Sequence, residues 1–183
     1  MTIQVMEQKK LHTKSKIMKS LAVLIFTIML FVGNLANAQN QKIWFDADWK
    51  VVSQDKASYY RPVPQEKKDG YWIVDYYTNG KIQKEGFSYL SNTIEPIFEG
   101  LVKIYYETGI LKSESFYVKG IKDGRFSAYF DTGELQERGD YANNLRDGNW
   151  KTYYKNGKIK ERGKYEKGEK IGIWKTFYKN VYK

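Results

Sequence analysis

The sequence predicts an all-β protein: an elongated, single-layer antiparallel meander of stacked β-hairpin repeats, forming an open solenoid-like sheet. Three observations carry that reading. The chain of 183 residues holds 16 Tyr, 9 Phe and 5 Trp, with 15 glycines against 3 prolines, which is the composition of strands joined by tight turns. Glycines recur at 100, 124, 148 and 172, so a 24-residue block repeats in a fixed frame. Asn79-Gly80 and Asn156-Gly157 lie between alternating apolar runs, the strongest short hairpin signal.

The N-terminal element reads as an address. Lys14, Lys16 and Lys19 precede an apolar run from Leu21 to Val32, which ends in Ala36-Asn37-Ala38. A basic start, a short apolar stretch and an Ala-x-Ala end predict a signal peptide over residues 1–38, cut after Ala38, with Met18 as the better start. The run is short for a ~30 Å hydrocarbon core. The competing reading is an uncleaved anchor helix. No Cys follows the cut, which excludes a lipoprotein-type anchor.

Residues 39–69 carry no repeat and read as an N-terminal cap segment ending in an extended linker at Arg61-Pro62-Val63-Pro64 and Gln65 to Gly70. Trp44 and Trp49 are expected to pack in this cap rather than stack on a ligand. The repeats fill residues 70–183, with a degenerate copy from Gly70, extra residues near Ser91, and regular blocks opening at Gly100, Gly124, Gly148 and Gly172.

Each block predicts a hairpin. A two-residue turn at Asn156-Gly157, with both residues at positive φ, sets Trp150 opposite Gly163, Thr152 opposite Glu161 and Tyr154 opposite Ile159. The next strand then brings Trp174 to the other side of Gly163. Across the sheet this register makes rows. One runs Phe126, Gly139, Trp150, Gly163, Trp174, with rings covering strand glycines on both sides; another runs Gly124, Tyr141, Gly148, Tyr165, Gly172. A third is Phe130, Leu135, Tyr154, Ile159, Tyr178. Together they form one apolar face, which no single hairpin could bury alone.

The opposite face carries Tyr105, Lys112, Tyr129, Gln136, Tyr153, Lys160 and Phe177, flanked by Arg138, Lys151, Arg162 and Lys175. Interleaved rings and cations suit an anionic or acidic partner. Equally, they suit a solvated face in which lysine stems cover tyrosine rings. Of these, Tyr105, Lys112, Tyr129, Lys151, Tyr153, Lys160, Arg162 and Phe177 are the candidate partner contacts.

Chemistry is sparse. Cysteine is absent and the single histidine, His12, lies in the leader. That removes thiol nucleophiles, disulfides, the usual zinc ligands and a Ser/His/Asp set. No phosphate loop is present, so no cofactor or metal is expected. Glu137 and Glu161 fall on the aromatic face beside Ala128, Thr152 and Thr176. A paired-carboxylate hydrolase is the sharp reading of them; hydrogen bonding to Thr or Tyr hydroxyls is the plain one, and no catalytic residue is assigned.

The pattern G-x-[WF]-x-x-[YF]-[YF]-x-[NT]-G-x-[LI]-x-x-E, opened by Asp123-Gly124 and Asp147-Gly148, resembles the MORN-variant repeat. Bacterial proteins built of it are labelled YwqK-family antitoxins or exported 24-residue-repeat proteins. The resemblance implies a non-enzymatic binding protein, sometimes membrane-associated. Net charge is +10; with five lysines and Glu7 in the leader, the remainder keeps 26 basic and 20 acidic residues. The leader argues against nucleic acid despite this balance. The expected function is an exported monomeric scaffold for a protein or an anionic envelope or membrane surface. An antitoxin- or immunity-type inhibitor is the alternative.

Overall fold

The computed structural model describes residues 42–90 and 94–178. The leader, its cut site, His12 and Ser91 lie outside them. Among the described residues there are twelve strands in one antiparallel sheet: β1 Lys42–Phe45, β2 Tyr59–Pro62, β3 Gln65–Lys67, β4 Gly70–Tyr77, β5 Ile82–Ser88, β6 Phe98–Tyr105, β7 Leu111–Val118, β8 Ile121–Tyr129, β9 Leu135–Ala142, β10 Leu145–Tyr153, β11 Ile159–Glu166 and β12 Glu169–Thr176. Neighbours in sequence are neighbours in space, except that β2 and β3 both pair with β4. The expected meander is the observed fold.

The register is close to the expected one, with two systematic differences, one at each kind of turn. Trp150 pairs with Gly163, Thr152 with Glu161, and Glu161 with Thr176. Ile159, however, pairs with Tyr153 rather than Tyr154, because a bulge intervenes. The Asn-Gly turns explain it. Tyr154 N–H donates to Lys158 O and Gly157 N–H donates to Tyr154 O, so the loop has three residues. Only Gly157 takes positive φ (78°), while Asn156 Oδ1 accepts from Lys158 N–H at 3.1 Å. Asn79 does the same for Lys81. The asparagine serves as a side-chain cap, and the glycine alone supplies the left-handed residue.

The two-residue turns with both φ positive occur between repeats instead. They are Lys119-Gly120, Asn143-Asn144 and Lys167-Gly168, closing Val118 on Ile121, Ala142 on Leu145 and Glu166 on Glu169. Four residues after each, the register shifts at the block-opening glycine, so Tyr141 and Tyr165 pair with Arg146 and Lys170 rather than with the expected Gly148 and Gly172. Gly148 (φ 68°) and its equivalents sit in these bulges, and a Cβ on Gly100, Gly148 or Gly172 would meet nothing within 4 Å. These glycines are therefore set by backbone conformation, not by the ring cover expected from their row with Tyr141 and Tyr165.

Ring cover does operate in the other glycine row. A Cβ on Gly139 would run into the Trp150 indole, and one on Gly163 into the Trp174 indole. Each tryptophan thus lies over the glycine of the preceding strand, and the nearest atoms over Gly163 are those of Trp174. The Trp150 Nε1–H donates into the bulge, to Asp140 O and Asp147 O, both at 3.1 Å. Phe126, Tyr141 and Tyr165 pack around its ring, leaving it 1% exposed.

The other end of the same face is the main core: Ile73, Phe98 and Val102, with Tyr71 and Tyr117 against them. Here the segment expected to be a linker is sheet. Tyr59 and Tyr60 pair with Tyr77 and Tyr76, and Gln65–Lys67 pair with Trp72–Gly70. Arg61, 1% exposed, pairs with the buried Asp75 through two hydrogen bonds of 2.5 and 2.9 Å. Trp49 stacks on Tyr59 at 4.8 Å, as cap packing requires.

Candidate binding face

Strand alternation and the register divide the side chains into two faces, and each face has its own use of charge. On the aromatic face every regular repeat sets a cation over a ring. Lys122 lies over Phe126 and Tyr141, Arg146 over Trp150 (4.2 Å) and Tyr165, and Lys170 over Trp174 (3.9 Å). Sequence reasoning missed these cations. Their signal is the fixed place two residues before the block-opening glycine.

They also account for the two glutamates. Glu137 accepts from Arg146 at 2.8 Å and Glu161 from Lys170 at 2.9 Å. The expected Thr or Tyr hydroxyl partners give way to these ion pairs. Both carboxylates are neutralised by their own repeat's cation, an arrangement that ties strands together. The equivalent residue before Lys122 is Ser113. Lys122 has its ammonium pushed below the usual lysine range, by burial first and then by the Arg146 charge.

The other face holds the candidate partner contacts, and its central row changes character along the sheet. At the start it alternates: Glu85 pairs with Lys103, and Lys103 with Glu114. Ser127 pairs with Glu114 on one side and Arg138 on the other. From there it is entirely cationic: Arg138 opposite Lys151, Lys151 opposite Arg162, Arg162 opposite Lys175. Like charges directly opposite cost stability. None of these four cations has a carboxylate partner within ion-pair distance among the described residues.

The tyrosine row beside it follows the same division. Tyr105 O–H donates to Glu85 at 2.6 Å and Tyr129 O–H to Glu114 at 3.1 Å. Burial and the Glu85 hydrogen bond push the Tyr105 phenol up to about 12; Tyr129 is raised by burial and Glu114. Before Tyr153, the place that Glu114 takes before Tyr129 is held by Arg138. Lys112 and Lys160 turn their ammoniums over Tyr106 (5.5 Å) and Tyr154 (6.0 Å), rings of the neighbouring row rather than the expected Tyr105 and Tyr153. Arg162 lies 5.4 Å over Phe177.

Two clefts, each about 480 Å³, open along the last strands, and Arg162 lines both. One adds Lys151, Lys164 and Lys175 with Ile171 and Ile173; the other adds Lys158, Tyr154 and Phe177. Among the described residues no group of three or more acidic, His or Cys side chains could hold a metal ion. No helix of them is long and apolar enough to cross a membrane, which says nothing about strands.

The repeat also leaves a cross-repeat hydrogen bond. Tyr106 O–H donates to Tyr129 O and Tyr154 O–H to Phe177 O, both at 2.8 Å, linking position seven of one block to position six of the next. Residues 74–90, 98–119, 122–143 and 146–167 each match the family model described as MORN repeat variant, so the degenerate copy is a true member of the series. No curated protein and no solved structure matches the chain. With four copies in register across residues 74–167, the chain belongs to the MORN repeat variant family.

Proposed function

We propose that this protein is an exported, non-enzymatic scaffold whose charged face holds an anionic partner at the cell envelope. The observation that carries the reading is the row Arg138, Lys151, Arg162, Lys175. The same row is neutralised by Glu85 and Glu114 in the earlier repeats, so the backbone does not require four adjacent cations. Repeats of this family generally act as scaffolds for protein or membrane partners, which supports the assignment. The basic, apolar, Ala-x-Ala leader supports export.

Reversing Lys151, Lys160 and Arg162 to Glu tests the binding face. These side chains lie on the surface, where a substitution changes stability by about ±0.5 kcal/mol. The variant should fold and lose low-salt retention on anionic vesicles or envelope material. Added salt should weaken wild-type retention likewise. A folded variant retained like wild type would remove this face from consideration. Intact mass of the exported product should show a chain starting at Gln39; a full-length cytosolic product would overturn export.

A further inference from the structure

The cationic row has a geometry as well as a sign. Its members are direct cross-strand partners on four successive strands, β9 to β12, so they repeat at the strand spacing of about 4.8 Å and run at right angles to the strands. One row over, rings recur on every second strand: Tyr129 at the end of β8, Tyr153 at the end of β10 and Phe177 just beyond β12, a spacing of roughly 10 Å. On the other side of the row Asp140 faces Asp147 at β9 and β10, which leaves Lys151, Arg162 and Lys175 as the most electropositive stretch. That stretch is where the clefts lie.

We infer that this row is a track for a linear, extended polyuronate, an anionic polysaccharide with one carboxylate per sugar, laid across the strands. The inference rests on the proposed anionic role of this face and names its ligand. An extended pyranose chain advances by about one strand spacing per residue and inverts each successive sugar, so a carboxylate returns to the same edge every two residues and can meet the cations of every second strand. Guanidinium donates two parallel hydrogen bonds to a planar carboxylate, which Arg138 and Arg162 can offer at alternate sites. Alternate sugars of an extended chain turn the same flat apolar face to the same side, matching rings that return on every second strand. A polyphosphate packs its charges more closely and has no such face, so it would use the cations and ignore the rings.

Calorimetric titration with oligogalacturonates of one to six units tests this on the purified full chain. Affinity should climb with chain length to about the fourth unit and then level, and the fully methyl-esterified hexamer should not bind. Tyr153→Ala and Phe177→Ala should each weaken the hexamer several-fold while leaving polyphosphate retention unchanged. Arg162→Gln should remove most binding of both polymers, with Lys175→Gln, at the outermost strand, as the variant least able to disturb folding. Affinity that does not grow with length, or that survives loss of both rings, overturns the polyuronate assignment. If anionic vesicles or envelope material are still bound in that case, the face reads charge alone and the anionic-partner function stands. Retention of no anionic material at all would overturn both.

Discussion

The two ends of this sheet use one backbone pattern and opposite electrostatics. At the first end β1 and β2 extend the sheet, and charge is taken inside: Asp75 is 0% exposed between Arg61 and Lys84, whose ammonium also sits 3.7 Å over Trp49. At the last end the aromatic face relies on a single fully buried ring, Trp150, while Ile173 is 83% exposed and the cations stand outside. The first end stabilises itself with its charges; the last end presents them. A repeat array can separate stability from binding in this way because each strand contacts only its neighbours.

The sharpest way to break that comparison is Asp75→Asn. It keeps the shape but removes the negative charge between the buried Arg61 and the mostly buried Lys84, and loss of one partner from such a cluster costs about 3–5 kcal/mol. Glu137→Gln, its counterpart in the half-exposed pair with Arg146, should cost no more than about 1 kcal/mol. Urea unfolding followed by tryptophan fluorescence compares them. Equal losses would show that the first end is not the stability anchor.

Glycine rows give the next effect. Gly139→Val drives a branched side chain into Trp150, which is boxed by Tyr141 and Tyr165 and cannot move aside. Gly163→Val meets Trp174, which has no following repeat over it among the described residues. Overpacking costs about 1–3 kcal/mol, with Gly139 expected near the top of that range and Gly163 near the bottom. Calorimetric melting of the two variants would reverse the argument if Gly163→Val proved the worse.

What the sequence revealed follows from the period. Once a 24-residue frame is seen, alternation within strands and a constant register turn a list of residues into a two-dimensional map, so the tryptophan–glycine row and both faces were legible. The turns were not, because Asn-Gly satisfies two loop geometries and the neighbouring bulge decides between them. Nor was the Arg61–Asp75 pair, since no repeat position precedes it and its partners meet only when β2 docks on β4. The ring-bound cations Lys122, Arg146 and Lys170 escaped for a related reason: the bulge shifts the register beside them, so alternation counted from the glycine misplaces them.

A smaller gain is expected where the cross-repeat hydroxyl is missing. Phe130 occupies the position whose tyrosine hydroxyl reaches the next repeat from Tyr106 and Tyr154. Phe130→Tyr should donate to Tyr153 O and add about 0.5–1.5 kcal/mol, the net value of one such bond. Tyr106→Phe should lose a similar amount. Opposite shifts in urea midpoint would confirm that the hydroxyl row links repeats, and a destabilising Phe130→Tyr would deny it.

The smallest effect concerns Lys122, which unlike Arg146 and Lys170 on the aromatic face lacks a carboxylate from its own repeat. Glu137 and Glu161 each precede their cation by nine residues, and Ser113 holds the same place before Lys122. Because the folded-state pKa of Lys122 lies below its ordinary value of 10.5, the unfolded chain binds that proton more tightly, and stability rises with pH up to about that value. Ser113→Glu should supply the missing partner, raise the lysine and flatten that rise, adding about 0.2–1 kcal/mol at neutral pH. Titration of the Lys122 side chain by NMR reads the change directly. A lysine that stays depressed in the Ser113→Glu variant would mean that burial in the Phe126 and Tyr141 rings, rather than the absent carboxylate, sets its protonation. The ion pairs of the later repeats would then be incidental to the cation's seat on the ring.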